Sequence, residues 1–192
     1  KGSRFIKRET RPSDEAVLTG RLIDRSIRPL FDKKFKRPVQ IVLTILSVDM
    51  ENDPDIPALV AASTVLSISD IPWAGPLGAV RVGKVHDGNW HVNPSYENRD
   101  KSFMDLFVAG TGDKVIMIEC NADEANENDV FEGTKKAKEA IAVLTNFVND
   151  ITSQIGKPKV DLVEELTAEQ KEEREKVKKC EKLVEDLINS KI

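Results

Sequence analysis

Residues 78–120 decide the fold, and they read GAVRVGKVHDGNWHVNPSYENRDKSFMDLFVAGTGDKVIMIEC. Short apolar runs rich in β-branched residues alternate with turn signals, a pattern typical of strands joined by tight turns. Asp87-Gly88 and Gly112-Asp113 are typical hairpin turns. We therefore predict an antiparallel meander, with strands at Gly78–Val85, Asn89–Asn93, Phe103–Gly110 and Lys114–Cys120.

A helix is predicted ahead of this sheet. Ser13 supplies a capping hydroxyl, and Asp14 and Glu15 follow it where the helix dipole favours acidic side chains. An apolar stripe at helical spacing continues to Ile27, and Arg28-Pro29 ends the helix.

Two apolar segments lie between that helix and the sheet. Along residues Val39–Val48, apolar side chains occur at both odd and even positions, and therefore on both faces of a strand. We predict a central strand that is covered on both faces. Asp53-Pro54-Asp55 then breaks the chain. Residues Ile56–Ile68 are apolar nearly all round, which predicts a buried helix.

After the sheet, residues Glu124–Ile155 predict one long amphipathic helix, with Gly156 placed to cap its end. Residues 157–163 are predicted to be a linker. Thr167 opens a capping box with Gln170, at the start of a charged helix. The order of helix, strand, helix, meander and long helix predicts an α+β fold, with helices packed on a mixed sheet.

The charge of the chain is strongly asymmetric. Its first 38 residues hold 12 of the 29 Lys and Arg residues but only 5 of the 33 acidic ones, a local charge of +7 in a chain of net charge −4. Such a basic block indicates an anion site, with nucleic acid or phosphate as the leading candidates. The alternative is a solvated basic arm.

The remaining composition is that of a globular cytoplasmic protein. No run reaches the roughly 18 to 20 apolar residues that a membrane span requires. Cys120 and Cys180 lie far apart without metal-ligand spacing, so we interpret them as reduced thiols.

Blocks of sequence resemble one known family. Phe5-Ile6-Lys7-Arg8-Glu9-Thr10-Arg11-Pro12-Ser13 is similar to the Phe-Phe-Arg-Arg-Glu-Gly-Arg-Pro-Ser loop of the polynucleotide phosphorylases. Further blocks resemble that family in its order and at its spacing: Leu22–Phe31, Asn52–Asp55, Leu66–Pro72, Gly75–Gly83, Val92–Pro94 and Leu106–Thr111.

The resemblance is to the first of the family's two ribonuclease-PH-like repeats, without its opening strands. It implies a ribonuclease PH-like domain, similar to the second domain of ribosomal protein S5, over residues 1–158. Residues 159–192 are then the start of an all-α RNA-binding linker domain.

The activity that the resemblance implies for the whole protein is phosphate-dependent 3′-to-5′ exoribonuclease activity in mRNA degradation and RNA processing. The implied co-substrate is inorganic phosphate, and the implied metal is Mg²⁺ held by the second repeat. The implied partners are single-stranded RNA, two further copies in a homotrimer, and proteins of RNA-degradation assemblies.

The family's loop faces the RNA channel, so the resemblance assigns RNA or phosphate binding to Phe5, Lys7, Arg8 and Arg11. Phe5 offers a surface on which a base can stack. Lys7 stands where the family usually has Arg, so it keeps the charge but loses the bidentate fork that suits phosphate.

A second candidate set for RNA contact is Arg21, Arg25 and Arg28 on the first helix. The alternative role for these arginines is structural, since Asp24 lies within reach of an ion pair on the same helix.

The metal-binding pattern of the family's catalytic repeat is D-x5-D-x-K, and the matching positions here are Arg99, Asp105 and Phe107. A lone carboxylate beside an arginine is a poor magnesium site. We therefore predict no catalytic or metal-binding residue in this chain, whose role is to guide RNA and build the trimer. Two alternatives stay open: a non-catalytic RNA-binding or scaffold protein, and a ribonuclease PH or exosome-like ring subunit.

Overall fold

The computed structural model describes residues 12–33, 35, 37–160, 176–177 and 179–184. It divides the chain into two compact units, residues 1–160 and 161–192. The division lies two residues beyond the boundary predicted at residue 158. In the second unit the described residues are helical, and the predicted capping box at Thr167 and Gln170 lies outside them.

The first helix, α1, spans Asp14–Ile27 and is followed by a 3-10 turn at Arg28–Leu30. Its predicted start is confirmed, because the Ser13 hydroxyl accepts a hydrogen bond from the Ala16 N–H at 3.2 Å. The second helix, α2, spans Asp55–Ile68 directly after Pro54. Only one side of α2 is buried, and Val65 on the other side is 58% exposed, so the predicted burial of the whole helix is wrong. The Ser63 hydroxyl on the buried side accepts a hydrogen bond from the Leu77 N–H at 2.9 Å.

Four antiparallel strands form the sheet: β1 Gly78–Val85, β2 Trp90–Val92, β3 Ser102–Gly110 and β4 Val115–Ala122. Their order across the sheet is β2-β1-β3-β4, so the predicted strands are confirmed but the simple meander order is wrong. A short helix, α3 at Tyr96–Asp100, carries the chain back from β2 to the far side of β1.

Both predicted hairpin turns are present. Gly88 adopts a φ of 90°, a left-handed conformation that glycine reaches without steric cost. The turn between β3 and β4 is closed by a hydrogen bond from the Thr111 N–H to the Lys114 carbonyl at 2.9 Å.

The sheet buries a different apolar layer on each face, as the alternation of strand residues requires. Against one face packs the long helix α4, which spans Glu127–Ile155 from an Asn126 cap, three residues later than predicted. Against the other face pack α1 and α2, which share a core with Ala79, Phe107 and Ala109. The α+β architecture is therefore as predicted, but the predicted mixed sheet is wrong, since every strand pairing among the described residues is antiparallel.

The segment Val39–Val48 is not a strand, and that prediction is wrong. The segment has no β-ladder partner among the described residues, and its side chains are exposed, Val42 by 74% and Leu46 by 93%. Apolar alternation favours an extended chain, but a strand forms only where a neighbouring backbone completes its hydrogen bonds. Instead the segment borders a groove of about 1010 Å³ that α1 lines on its opposite side.

Candidate nucleic-acid interface

Helix α1 presents three arginines on one exposed face. Arg21, Arg25 and Arg28 are four and three residues apart, and all three are exposed, whereas Ile23 and Ile27 are buried in the core. This spacing aligns the guanidinium groups along the helix. The exposed face of α1 therefore carries a cationic stripe. The stripe points away from the core because the opposite, apolar face of the helix is buried there.

The three arginines differ in their partners. Arg28 forms a two-point ion pair with Asp24, with N–O distances of 2.6 and 3.3 Å. Arg21 and Arg25 make no ion pair or side-chain hydrogen bond with the described part of the chain. A structural role in an ion pair therefore fits Arg28. Arg21 and Arg25 have no such partner among the described residues, so their N–H groups are available to an anion.

The loop predicted to bind RNA or phosphate lies outside the described residues. Phe5, Lys7, Arg8 and Arg11 all belong to it, so their assignment stays a prediction. The described neighbour of the loop is the start of α1. There Asp14 and Glu15 occupy the first turn, and their charges offset the attraction of the helix terminus for an anion.

Arg99 and Asp105, two positions that the resemblance aligns with the family's metal pattern, form ion pairs with Arg81 and Asp53, and we call these four residues the charge cluster. Arg99 lies 2.7 Å from Asp105 and 3.0 Å from Asp53. Arg81 lies 2.9 Å from Asp105 and 3.3 Å from Asp53. Each arginine thus bridges both carboxylates.

The contacts within the charge cluster restrict what the Asp105 carboxylate can bind. Its Oδ2 accepts from both guanidinium groups, and the residue is only 9% exposed. Two fixed cations at this distance oppose the approach of a divalent ion. Phe107 lies in the core beneath Arg81, whose guanidinium carbon is 5.8 Å from the ring centre. The residues at the metal position therefore form structural contacts with one another.

Sequence reasoning missed Arg81, which holds the charge cluster on the sheet. The sequence signal was a single charged residue within the otherwise apolar run Gly78–Val82. Because strand side chains alternate between the two faces, this residue lies on the sheet face that packs against α2. A cation at such a position requires a buried anionic partner.

Asp55 links the charge cluster to the cationic helix. Its carboxylate accepts a hydrogen bond from the Thr19 hydroxyl of α1 at 2.8 Å and lies 4.0 Å from Arg81. Burial raises the pKa of Asp55 above its ordinary value, and the nearby Asp53 charge raises the pKa further, while the Thr19 hydrogen bond opposes both effects.

A neighbouring turn is organised by Asp49, which accepts hydrogen bonds from the backbone N–H groups of Asn52 and Glu51 and from the Asn52 side chain. The backbone bond from Asn52 is the largest cause that lowers the pKa of Asp49, to about 2. This turn leads the chain into Asp53 and the charge cluster.

The tryptophans serve packing. Trp73 is buried, and its indole N–H donates to the Ile27 carbonyl at 3.3 Å. Trp90 lies against Gly133 of α4, with the Lys84 ammonium 4.9 Å from its ring centre. Within the part of the chain that the structure describes, no group of three or more His, Cys, Asp or Glu residues could hold a metal ion.

Family models match most of the first unit. The model of domain 1 of the 3′ exoribonuclease family matches residues 1–72, and the model of domain 2 of the same family matches residues 75–140. The chain belongs to the 3′ exoribonuclease family. The two matches meet at the loop between α2 and β1, and both domains lie within the one compact unit of residues 1–160.

Curated relatives within this family are named polyribonucleotide nucleotidyltransferase. That of Finegoldia magna is 46% identical over 160 residues, which are 83% of this chain and 22% of the relative. Those of Alkaliphilus oremlandii and Clostridioides difficile are 48% and 47% identical, over 83% and 81% of this chain and 22% of each relative. The chain therefore spans about a fifth of the length of these relatives.

A solved structure supports the family fold. The crystal structure of rice (Oryza sativa) Rrp46 is similar with a TM-score of 0.57 and 13% identity, over 76% of this chain and 69% of that chain. Together with the family matches, this likeness confirms the ribonuclease PH-like fold. Among the described residues, no helix is long and apolar enough to cross a membrane.

Proposed function

We propose that this 3′ exoribonuclease family chain is part of a cytoplasmic, phosphate-dependent 3′-to-5′ exoribonuclease, a polyribonucleotide nucleotidyltransferase, and that it guides single-stranded RNA. The observation that carries the proposal is the cationic stripe of α1, where Arg21 and Arg25 are exposed and have no partner in the described part of the chain. Backbone phosphates bind such donors through charge, without regard to base sequence. The relatives' name supplies the reaction class.

The chemical step belongs elsewhere in this proposal. Asp105 is committed to Arg81 and Arg99, and Phe107 replaces a lysine with a core side chain. We therefore place Mg²⁺, phosphate activation and bond cleavage in a second repeat of the whole protein. This chain contributes RNA-guiding cations and scaffold to a homotrimer that works with RNA-degradation partners.

The loop that precedes α1 completes the proposed RNA surface. Arg8 and Arg11 contribute cations, Lys7 a further charge, and Phe5 a stacking surface. Their place in the chain supports this role, since the loop runs directly into the Ser13 cap of the cationic helix.

The salt dependence of RNA binding tests the proposal. We expect the chain to bind fluorescein-labelled oligo(A), and replacement of Arg21 and Arg25 by Ala to weaken binding. The slope of log K against log salt should become shallower by about 0.7 for each phosphate of the single strand that the variant no longer neutralises. Fluorescence anisotropy at several salt concentrations measures the slope.

Lys135→Ala together with Lys138→Ala is the matched control, because it removes the same charge from exposed positions of α4. The control should leave the slope nearer that of the parent chain. An equal change in both double variants would show that only net charge matters and would remove the assigned role of the α1 stripe.

A further inference from the structure

The last carbonyl groups of α2 have an unusual set of partners. The C-terminal carbonyls of a helix lack partners within the helix and need donors from elsewhere. Ser69 satisfies two of them, since its N–H donates to the Val65 carbonyl at 3.1 Å and its hydroxyl to the Leu66 carbonyl at 2.9 Å. The other donors come from residues 157–160, which we call the strap.

Two backbone hydrogen bonds hold the strap to the end of α2. The Lys157 N–H donates to the Ile68 carbonyl at 2.9 Å, and the Val160 N–H donates to the Asp70 carbonyl at 2.8 Å. Residues 157–160 belong to the predicted linker of residues 157–163, and these contacts fix its first residues to the first unit. The strap belongs to the first unit.

Between these two bonds lies Lys159, whose ammonium contacts three carbonyl oxygens. It lies 2.8 Å from Leu66 O, 2.9 Å from Ser67 O and 2.8 Å from Ser69 O. An ammonium has three N–H donors, and each has an acceptor here. The negative end of the α2 dipole adds to the attraction.

Gly156 allows the chain to reach this position. Its N–H closes α4 on the Thr152 carbonyl at 2.8 Å. A Cβ atom at Gly156 would lie 2.3 Å from that carbonyl oxygen, which is a backbone atom. Only glycine therefore lets the chain leave α4 so tightly.

We propose that Lys159 is a latch, which fastens the strap to the C-terminus of α2 and so fixes the point at which the chain leaves the first unit. With the latch closed, residues 157–160 are held beside the C-terminus of α2. When the Lys159 side chain carries no donor, its three hydrogen bonds are lost, and only the two backbone bonds hold the strap. Residues 157–160 then detach from the end of α2 more often, while the packed sheet and helices keep their contacts.

Amide hydrogen exchange on the full chain tests the latch. In Lys159→Met, the side chain keeps its length and loses its charge, and we expect the amides of Lys157 and Val160 to exchange at least about 10-fold faster. The amides of Val80 and Val108, in the core strands, should keep their rates. Lys159→Arg retains a cation and should protect the strap better than Lys159→Met.

Lys157→Met is the matched control. It removes the same charge two residues away, and the Lys157 ammonium makes no hydrogen bond or ion pair with the described residues, so the rates should stay as in the parent chain. The latch is refuted if the strap amides keep their protection in Lys159→Met, or if core amides accelerate equally. The unaltered chain gives a further measure: Lys157 and Val160 amides that exchange at the rate of an unstructured peptide would also overturn the proposal.

Discussion

At the scale of single residues, the charge cluster explains how a sheet position can hold buried charges. Arg81 and Asp105 are each 9% exposed, and a buried charge is tolerated only when it is paired and hydrogen-bonded. Asp53 and Arg99 complete the pairing, and they tie the loop before α2 and the helix α3 to the sheet. The cluster is therefore a structural joint.

Removal of one cation should weaken this joint. Arg99→Ala leaves Asp53 and Asp105 with Arg81 alone. Because the Arg99 side chain is 34% exposed, we expect a loss of about 2 kcal/mol in the free energy of unfolding, less than for a fully buried pair. Urea denaturation followed by circular dichroism measures it.

Lys101→Ala is the control on the neighbouring surface. Lys101 pairs with Glu97 at an exposed site, and its loss should cost no more than about 0.5 kcal/mol. Equal losses in the two variants would contradict a structural role for the charge cluster.

Asp55 should make stability depend on pH in an unusual direction. Its folded-state pKa is raised, so the folded chain binds this proton more tightly than the unfolded chain does. The cost of the charged carboxylate is fully present above the raised pKa. This cost disappears as the pH falls through that value towards the ordinary 3.8.

The Asp55→Asn variant keeps the acceptor for Thr19 and removes the titration. The melting temperature of the parent chain should therefore improve relative to Asp55→Asn as the pH falls from 7 towards 4. Thermal melts of both chains across this range measure the difference. A difference that stays constant would mean that Asp55 has an unshifted pKa.

At the scale of elements, two glycines show how the same substitution has opposite effects in a turn and in a helix. Gly110 ends β3 at an irregularity in its pairing with β4, and a Cβ there would lie 2.4 Å from the Lys114 carbonyl oxygen. Gly20 lies within α1, and a Cβ there would meet no atom within 4 Å.

We predict that Gly110→Ala destabilises the chain by about 2 kcal/mol, because backbone atoms must move. Gly20→Ala should instead stabilise it by roughly 0.5–1 kcal/mol, because alanine favours the helix. Chemical denaturation of both variants measures whether each substitution lowers or raises the free energy of unfolding. Destabilisation by Gly20→Ala would show that α1 needs the space at this position.

At the scale of the whole molecule, the groove beside residues 39–48 presents apolar side chains to solvent. Its lining includes Ile41 and Ile45, which are 37% and 53% exposed. The backbone groups of this segment form no hydrogen bond with the described residues, and such groups can pair with other chains. The isolated chain should therefore self-associate.

Leu46→Lys should reduce this association, because Leu46 is 93% exposed and contributes little to the core. We expect lower 1-anilinonaphthalene-8-sulfonate fluorescence and a smaller sedimentation coefficient at the same protein concentration. Thr44→Lys is the control, since it adds the same charge to the same side of the segment without removing an apolar group. Equal effects would attribute the change to charge alone.

Local patterns in the sequence determined the elements of this protein. The Ser13 cap, the strands of residues 78–120, the helix after Pro54 and the long helix before Gly156 all follow from short-range signals. Such signals act within a few residues and need no partner.

Tertiary structure alone decided which distant groups meet. It set the strand order β2-β1-β3-β4, left residues 39–48 without a strand partner among the described residues, brought Arg81 to Asp53 and Asp105, and joined Lys159 to the end of α2. Each of these depends on hydrogen bonds or ion pairs between residues far apart in the chain. Since periodicity shows only that a residue is extended, helical, apolar or charged, the identity of its partner appears only once the elements have packed.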